Sequence, residues 1–150
     1  MNPYPHTYIA SAEAANAGFV AVTSPEVAAI ETAAPPEFDG PRGVWSPETL
    51  LCASVADCFI LTFRAVARAA HVEWLRLECR VEGVLDRVER TSQFTKFTTF
   101  AKVSVPMGTD PAKARALLER AEQGCLIANS LRGTRALETE VAMPPLAPSA

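Results

Sequence analysis

The chain has 150 residues, of which 49% are hydrophobic and 21% charged. That mixture is too apolar for a disordered polymer, and the length suits a single domain over residues 1–150 with a substantial core. A net charge of -3 argues against a nucleic-acid binder, which must neutralise phosphates.

The charge is unevenly spread. No Lys or Arg precedes Arg42, whereas Glu13, Glu26, Glu31, Glu37 and Asp39 all do. The N-terminus lacks the basic start and compact apolar run of a secretory signal. No uncharged stretch is read as both long and apolar enough to span a membrane, so a cytoplasmic location without a membrane partner is expected.

Residues 1–34 read as N-terminal strands and turns. Gly18 to Thr23 is apolar and partly β-branched, Ser24-Pro25 breaks it, and Val27 to Thr32 resumes. A Pro- and Gly-rich loop follows over residues 35–45, of the size of a functional surface loop.

The clearest helix start comes next. Ser46 suits the N-cap, Pro47 the first helical position, and Glu48 the positive end of the dipole. A central helix is predicted over 46–70. From Thr49 to Ala70 its only charges, Asp57, Arg64 and Arg68, fall within about 40° of one another on the helical wheel. The rest of the circumference is apolar or small, so the helix is expected to be buried on most sides.

After it Leu75, Leu77, Cys79 and Val81 alternate with charged residues as a half-buried strand. Gly83 and the run Arg87 to Arg90 read as a bulge and turn. A second strand, Phe94 to Val105, would place Phe97, Ala101, Val103 and Val105 on one face and Phe94 and Phe100 on the other. Asp110-Pro111 caps a second helix that Gly124 stops, with Ala114, Leu117, Leu118 and Ala121 inward. A short apolar segment, Leu126 to Leu131, leads to a last strand, Leu137 to Met143, and a frayed tail over 144–150. The elements describe an α+β fold.

The four cysteines differ in setting. Cys79 on its strand and Cys52 in the first turns of the helix read as small buried hydrophobes. Cys52 and Cys58 sit roughly 9 Å apart along the helix and about 120° around it, beyond disulfide reach. Cys58 shares a stripe with Leu51, Val55, Thr62 and Ala65, which could line a narrow dry pocket or be plain core. Cys125 directly follows the helix stop, where the backbone turns and a thiol could move. No metal site is expected, because there is no C-x-x-C pair and His6 and His71 lie apart.

Three segments carry a resemblance. Trp45-Ser46-Pro47-Glu48-Thr49-Leu50-Leu51, continued by Cys58-Phe59 and Thr62-Phe63, looks like the central helix of the OsmC/Ohr hydroperoxide-reductase family. Cys125-Leu126-Ile127-Ala128-Asn129-Ser130-Leu131-Arg132-Gly133 resembles that family's second cysteine motif, and Pro36-Glu37-Phe38-Asp39-Gly40 also fits. The resemblance covers roughly residues 35–142.

It implies mostly antiparallel sheets wrapped around two central helices in an intertwined homodimer. It also implies a thiol peroxidase that defends against oxidative stress by reducing organic hydroperoxides. Carried over by motif, Cys58 matches the peroxidatic cysteine, Cys125 the resolving one, and Glu48 the acid in the helix's first turn. No bound cofactor is implied, only an external dithiol reductant, for which the family suggests a lipoylated protein. Phe59, Phe63, Trp45 and Phe38 are the expected apolar substrate contacts. Glu48 lies ten residues, about 15 Å of helix, before Cys58, so any role at the thiol would be across a dimer interface.

Two departures matter. Peroxidase members place an arginine from an N-terminal loop at the thiolate, and the matching Ala15-Asn16-Ala17-Gly18-Phe19 has none. Without a cation a buried thiol is expected to stay near or above its ordinary pKa, with Arg42 or Arg132 as conceivable substitutes. Asp57 beside Cys58 would oppose a thiolate if it faced it, and is otherwise expected to pair outward with Arg64. The alternative function is a redox-silent dimer of the same fold that binds an apolar small molecule.

Overall fold

A computed structural model describes residues 1–145, so the expected frayed tail lies outside the described residues from position 146 onward. The chain forms two compact units, one over Met1–Leu50 and one beginning at Leu51.

In the first unit β1 (Ser11–Glu13), β2 (Val20–Thr23) and β3 (Ile30–Thr32) form an antiparallel sheet in sequence order. A 3-10 turn over Pro36–Phe38 follows, ended by Asp39 in the left-handed region at φ 62°. Trp45 bridges to Thr32 beside β3, and its carbonyl accepts from Ala33 N–H at 3.0 Å. Ser46 then caps α1 (Pro47–Ala69) reciprocally. Thr49 N–H donates to Ser46 Oγ at 3.2 Å, and Ser46 N–H donates to Thr49 Oγ1 at 3.0 Å.

In the second unit β4 (Arg76–Val88) and β5 (Thr91–Ser104) form a long hairpin. Its two-residue turn, Glu89-Arg90, has both φ angles positive, 48° and 70°, which matches the twist of the flanking strands. α2 (Pro111–Gly124) starts at Asp110, whose side chain accepts from Ala112 N–H at 2.9 Å. α3 (Leu126–Asn129) is a single turn, and β6 (Thr134–Ala142) returns parallel to β5.

The α+β expectation and the main elements stand, and both hairpin strands run longer than predicted. The bulge falls at Val84/Leu85, not at Gly83, which pairs with Phe97 inside the ladder. Thr95 is the extra residue opposite it. The resulting slip brings Phe94 onto the same side as Phe97, their rings stacked at 5.2 Å, where simple alternation had put them on opposite faces. Phe100 does face away, under the Arg80 guanidinium at 4.1 Å.

Gly83 itself is held to glycine by crowding. A Cβ there would lie 2.8 Å from Phe94 Cε1 and 2.9 Å from Cys52 Sγ. Gly83→Ala is therefore expected to lower stability by about 1–3 kcal/mol, read as a shift of the urea midpoint.

The core gathers where α1, α2 and the β4–β5–β6 sheet meet. Phe59, Phe63 and Ala67 of α1 pack with Leu117 and Leu118 of α2 and with Ala101 and Val103 of β5. Leu77 joins them, whereas Leu75, expected inward, is 58% exposed because the strand starts only after it. Trp74 meets Phe63 edge to face instead.

α1 reaches the length and apolarity of a membrane span, with a mean hydropathy of 1.8 over 18 residues. Asp57 and Arg64 interrupt it, so the reading that no uncharged stretch is long enough is unaffected. The helix is less buried than expected. Val55, Phe59, Phe63 and Ala67 recur every four residues as one sealed stripe, while Leu61 is 52% exposed and Ala65 is open. One small chain has too little apolar surface to cover a helix on several sides.

Candidate active site

The site is assembled from two elements that the sequence separates by 67 positions. α1 supplies Cys58, on the edge of its sealed stripe. The stop at Gly124 ends α2 and delivers Cys125 as the residue that both closes α2 and opens α3. Val55, Cys125 and Ala128 form a small buried cluster, against which Cys58, Val81 and Leu131 pack.

The two thiols are free and within hydrogen-bonding reach of each other, and they are not equivalent. Cys58 is half-buried, whereas Cys125 has no exposed surface. Burial opposes a Cys58 thiolate, but hydrogen bonds outweigh it. They come from the Ile127 backbone, the Cys125 thiol, the Thr62 hydroxyl and the Leu126 backbone, and together they bring Cys58 below its ordinary value. The backbone donors have a simple origin: the first N–H groups of a helical turn lack intrahelical partners and point at whatever precedes the turn. Thr62 contributes less, because its one proton already bonds Cys58 O at 2.7 Å while its oxygen lies 3.9 Å from Sγ.

Cys125 moves the other way, pushed up to about 11 by burial and by the charges of Cys58 and Glu122, against a backbone hydrogen bond from Ala128. Its proton has two acceptors in reach, Cys58 and the Val55 carbonyl at 3.8 Å. A charged acceptor forms the stronger bond, so ionisation of Cys58 draws that proton towards itself. Cys79 lies close enough to feel both Cys125 and Glu122, and burial first, then these charges, push it up to about 12. Burial also raises Cys52, despite a backbone hydrogen bond at Gly83.

Several expectations change here. The turn at Gly124 was read as leaving Cys125 free to move, yet its thiol is packed and already faces Cys58. The missing arginine was expected to leave Cys58 near or above the ordinary thiol value, yet neutral donors lower it. Among the described residues no guanidinium acts on Cys58. Asp57 points to solvent and makes no ion pair with Arg64 among the described residues; both are exposed. Phe59 and Phe63 are 0% and 1% exposed within the core, so neither lines open space. Phe38 and Trp45 are 55% and 51% exposed in the first unit. Glu48 stands in the first turn of α1, and its Oε2 is buried without a partner.

The structure offers a different apolar surface. Leu51, Phe94, Phe97 and Leu131 line a groove of about 280 Å³ with Thr91, Gln93 and Arg132 at its polar parts. Leu131 belongs both to this groove and to the cysteine cluster. The bulge that turns Phe94 inward creates it, which no residue pattern announced. The backbone donors were also missed, although a cysteine directly after a helix stop is a legible signal for them.

The profile of the OsmC-like protein family matches residues 40–140. The chain belongs to this family. Among solved structures the OsmC-like fold recurs in an organic hydroperoxide resistance protein OsmC of Legionella pneumophila. That protein is 26% identical, with 93% of this chain and 99% of that one covered at a TM-score of 0.73. It recurs again in the organic hydroperoxide resistance protein OhrB of Bacillus subtilis, 21% identical, with 91% and 98% covered at a TM-score of 0.67. The uncharacterized protein YmaD of Bacillus subtilis (strain 168) is 26% identical over 112 residues, 73% of this chain and 75% of that one.

A pH profile tests the electrostatics of the OsmC-like site. A thiolate is the reactive form, so reactivity rises with pH and is lost as pH falls through the thiol's pKa. With Cys58 lowered, its alkylation by iodoacetamide should be half-maximal below 9.0, the ordinary value, whereas Cys125 should stay unlabelled across that range.

Proposed function

We propose that the chain is a thiol-dependent peroxidase that reduces organic hydroperoxides to alcohols, with Cys58 as the peroxidatic and Cys125 as the resolving thiol. The Cys58 thiolate attacks the outer oxygen of ROOH; the O–O bond breaks, the alkoxide leaves and takes up a proton as ROH, and Cys58 becomes a sulfenic acid. Cys125 then attacks that sulfur. A Cys58–Cys125 disulfide forms, water leaves, and the first sulfur is protected from further oxidation. An external dithiol, of the lipoyl type in the family's pattern, reopens the bridge by exchange and is itself oxidised to a disulfide.

The observation that carries this reading is the asymmetric thiol pair: a half-open cysteine surrounded by donors, packed against the small cluster that holds a sealed one. The names of the Legionella and Bacillus relatives agree with it. The organic part of the substrate would lie in the groove of Leu51, Phe94, Phe97 and Leu131, replacing Phe59 and Phe63 in that role. Glu48 would serve the thiol of a partner chain in a homodimer, which would also cover the open apolar side of α1. Free, reducible thiols suit the cytoplasm.

The missing arginine favours the rival reading, a redox-silent dimer that binds an apolar small molecule. Stopped-flow oxidation of the reduced protein by cumene hydroperoxide, followed as thiol loss, separates the two. Rapid loss ending in a Cys58–Cys125 disulfide is expected; oxidation no faster than that of a free thiol would sink the peroxidase.

A further inference from the structure

The turn that carries Cys125 has little to hold it locally. α3 is a single turn, with Asn129 N–H donating to Cys125 O at 2.9 Å, and one turn of helix does not persist by itself. The last carbonyls of α2 have no partners within that helix. A side chain from β6 meets both needs. Arg135 donates Nε to Glu122 Oε1 at 2.7 Å, Nη1 to Asn129 Oδ1 at 2.6 Å, and Nη2 to the Glu122 carbonyl. That carbonyl also accepts from Cys125 N–H at 3.5 Å, and Asn129 Nδ2 donates to the Gln123 carbonyl at 3.1 Å.

The anchor is fixed from its own side. Arg135 pairs with Phe97 in the parallel ladder of β5 and β6. Just before it, Gly133 lies so close to β5 that a Cβ would stand 2.7 Å from Thr95 O. The guanidinium thus ties a strand held in the sheet to Glu122 and Asn129, on either side of Cys125. The ion pair is shielded, its Arg135 and Glu122 side chains 27% and 15% exposed, so water competes weakly for these bonds. A planar fork suits three acceptors at once, where the compact ammonium of a lysine does not.

We propose that Arg135 is a positioning residue for Cys125: its fork fixes the turn against the cluster on which Cys58 packs, so that the Cys58–Cys125 disulfide closes without first ordering the chain. A misplacement of about 1 Å can cost a step of this kind roughly a hundredfold. That the bond follows a sulfenic acid rests on the peroxidase reading; the effect of Arg135 on the bond does not.

The test omits peroxide. Reduced protein is equilibrated with mixtures of reduced and oxidised dithiothreitol, the oxidised form accepting two electrons and two protons as the protein disulfide forms. The linked Cys58–Cys125 peptide is then quantified by mass spectrometry. In Arg135→Gln the equilibrium constant for the disulfide should fall roughly tenfold. Urea unfolding of the same reduced protein separates this from a purely structural role, which would lower the midpoint and leave the constant unmoved. A folded Arg135→Gln variant with an unmoved constant overturns the proposal, as does absence of the linked peptide from wild-type protein at every ratio. Should that variant not fold, Asn129→Ala decides. It removes one tie and keeps the ion pair, so the constant should fall a few-fold; no fall overturns the proposal. If the constant falls while wild-type protein ignores cumene hydroperoxide, the peroxidase reading fails and the role of Arg135 stands. Fast oxidation of wild-type protein with a constant indifferent to Arg135 removes that role and leaves the peroxidase.

Discussion

Cys58→Ser should remove the fast reaction with cumene hydroperoxide altogether, a loss of roughly 10³-fold or more, as expected when the only nucleophile is deleted. The reason is positional. Among the described cysteines Cys58 alone has a lowered pKa, and it is half-open, whereas Cys52 is raised and Cys79 and Cys125 are pushed up to about 12 and 11. Cys125 has no surface through which a peroxide could reach it.

Cys125→Ser should behave differently. The serine hydroxyl can still donate to Cys58, so the first oxidation should persist within a few-fold. With no second thiol to condense, the sulfenic acid should then react with dimedone, and excess peroxide should drive it to the sulfinic acid, seen by mass spectrometry as two added oxygens. Multiple turnover with a dithiol should collapse. Equal loss of the fast phase in both variants would refute the division of labour between the two cysteines.

Phe59→Ala should be among the most destabilising single changes, by about 3–5 kcal/mol in urea unfolding, which approaches the whole stability of many small domains. Phe59 is 0% exposed and packs into the main core beside Phe63, Leu118 and Val103. Its removal leaves a cavity that a helix held on one side and a sheet on the other cannot close. This variant also separates two meanings of the aromatic motif around Cys58. If Phe59 is core, stability falls and the preference among hydroperoxides of different size stays the same in whatever fraction is folded. A stable Phe59→Ala protein with an altered substrate preference would return Phe59 to the pocket. Leu131→Ala and Phe94→Ala, in the groove, should shift that preference with a smaller effect on stability.

Much of this molecule was legible from residue order. Ser46-Pro47-Glu48 and Asp110-Pro111 marked both long helices, because N-cap and first-turn chemistry is local and depends on three or four neighbouring residues. Gly124 marked the stop before Cys125 for the same reason. The cysteines Cys58 and Cys125 were singled out by their motifs, and both lie at the small cluster around Val55 and Ala128. The pattern of period two placed Ala101 and Val103 correctly inside.

What order alone did not reveal lies in pairings distant along the chain. A one-residue slip at Thr95 reversed the side of Phe94 and made an apolar groove, because strand register is settled by the partner strand and not by the strand's own alternation. The acidity of Cys58 was misjudged from the lack of a nearby cation, because its donors are backbone N–H groups of a turn 68 and 69 residues away, and every residue carries such a group. Arg135 and Glu122 gave no signal, being 13 residues apart on different elements. The sequence by itself determined where the helices begin and end, which strands alternate and which residue types could do thiol chemistry, since these follow from short-range sterics and hydrogen bonding. Only the tertiary structure decided which thiol is the acid, which aromatic residues are core and which line open surface, since burial and electrostatic environment are properties of neighbours brought together by folding.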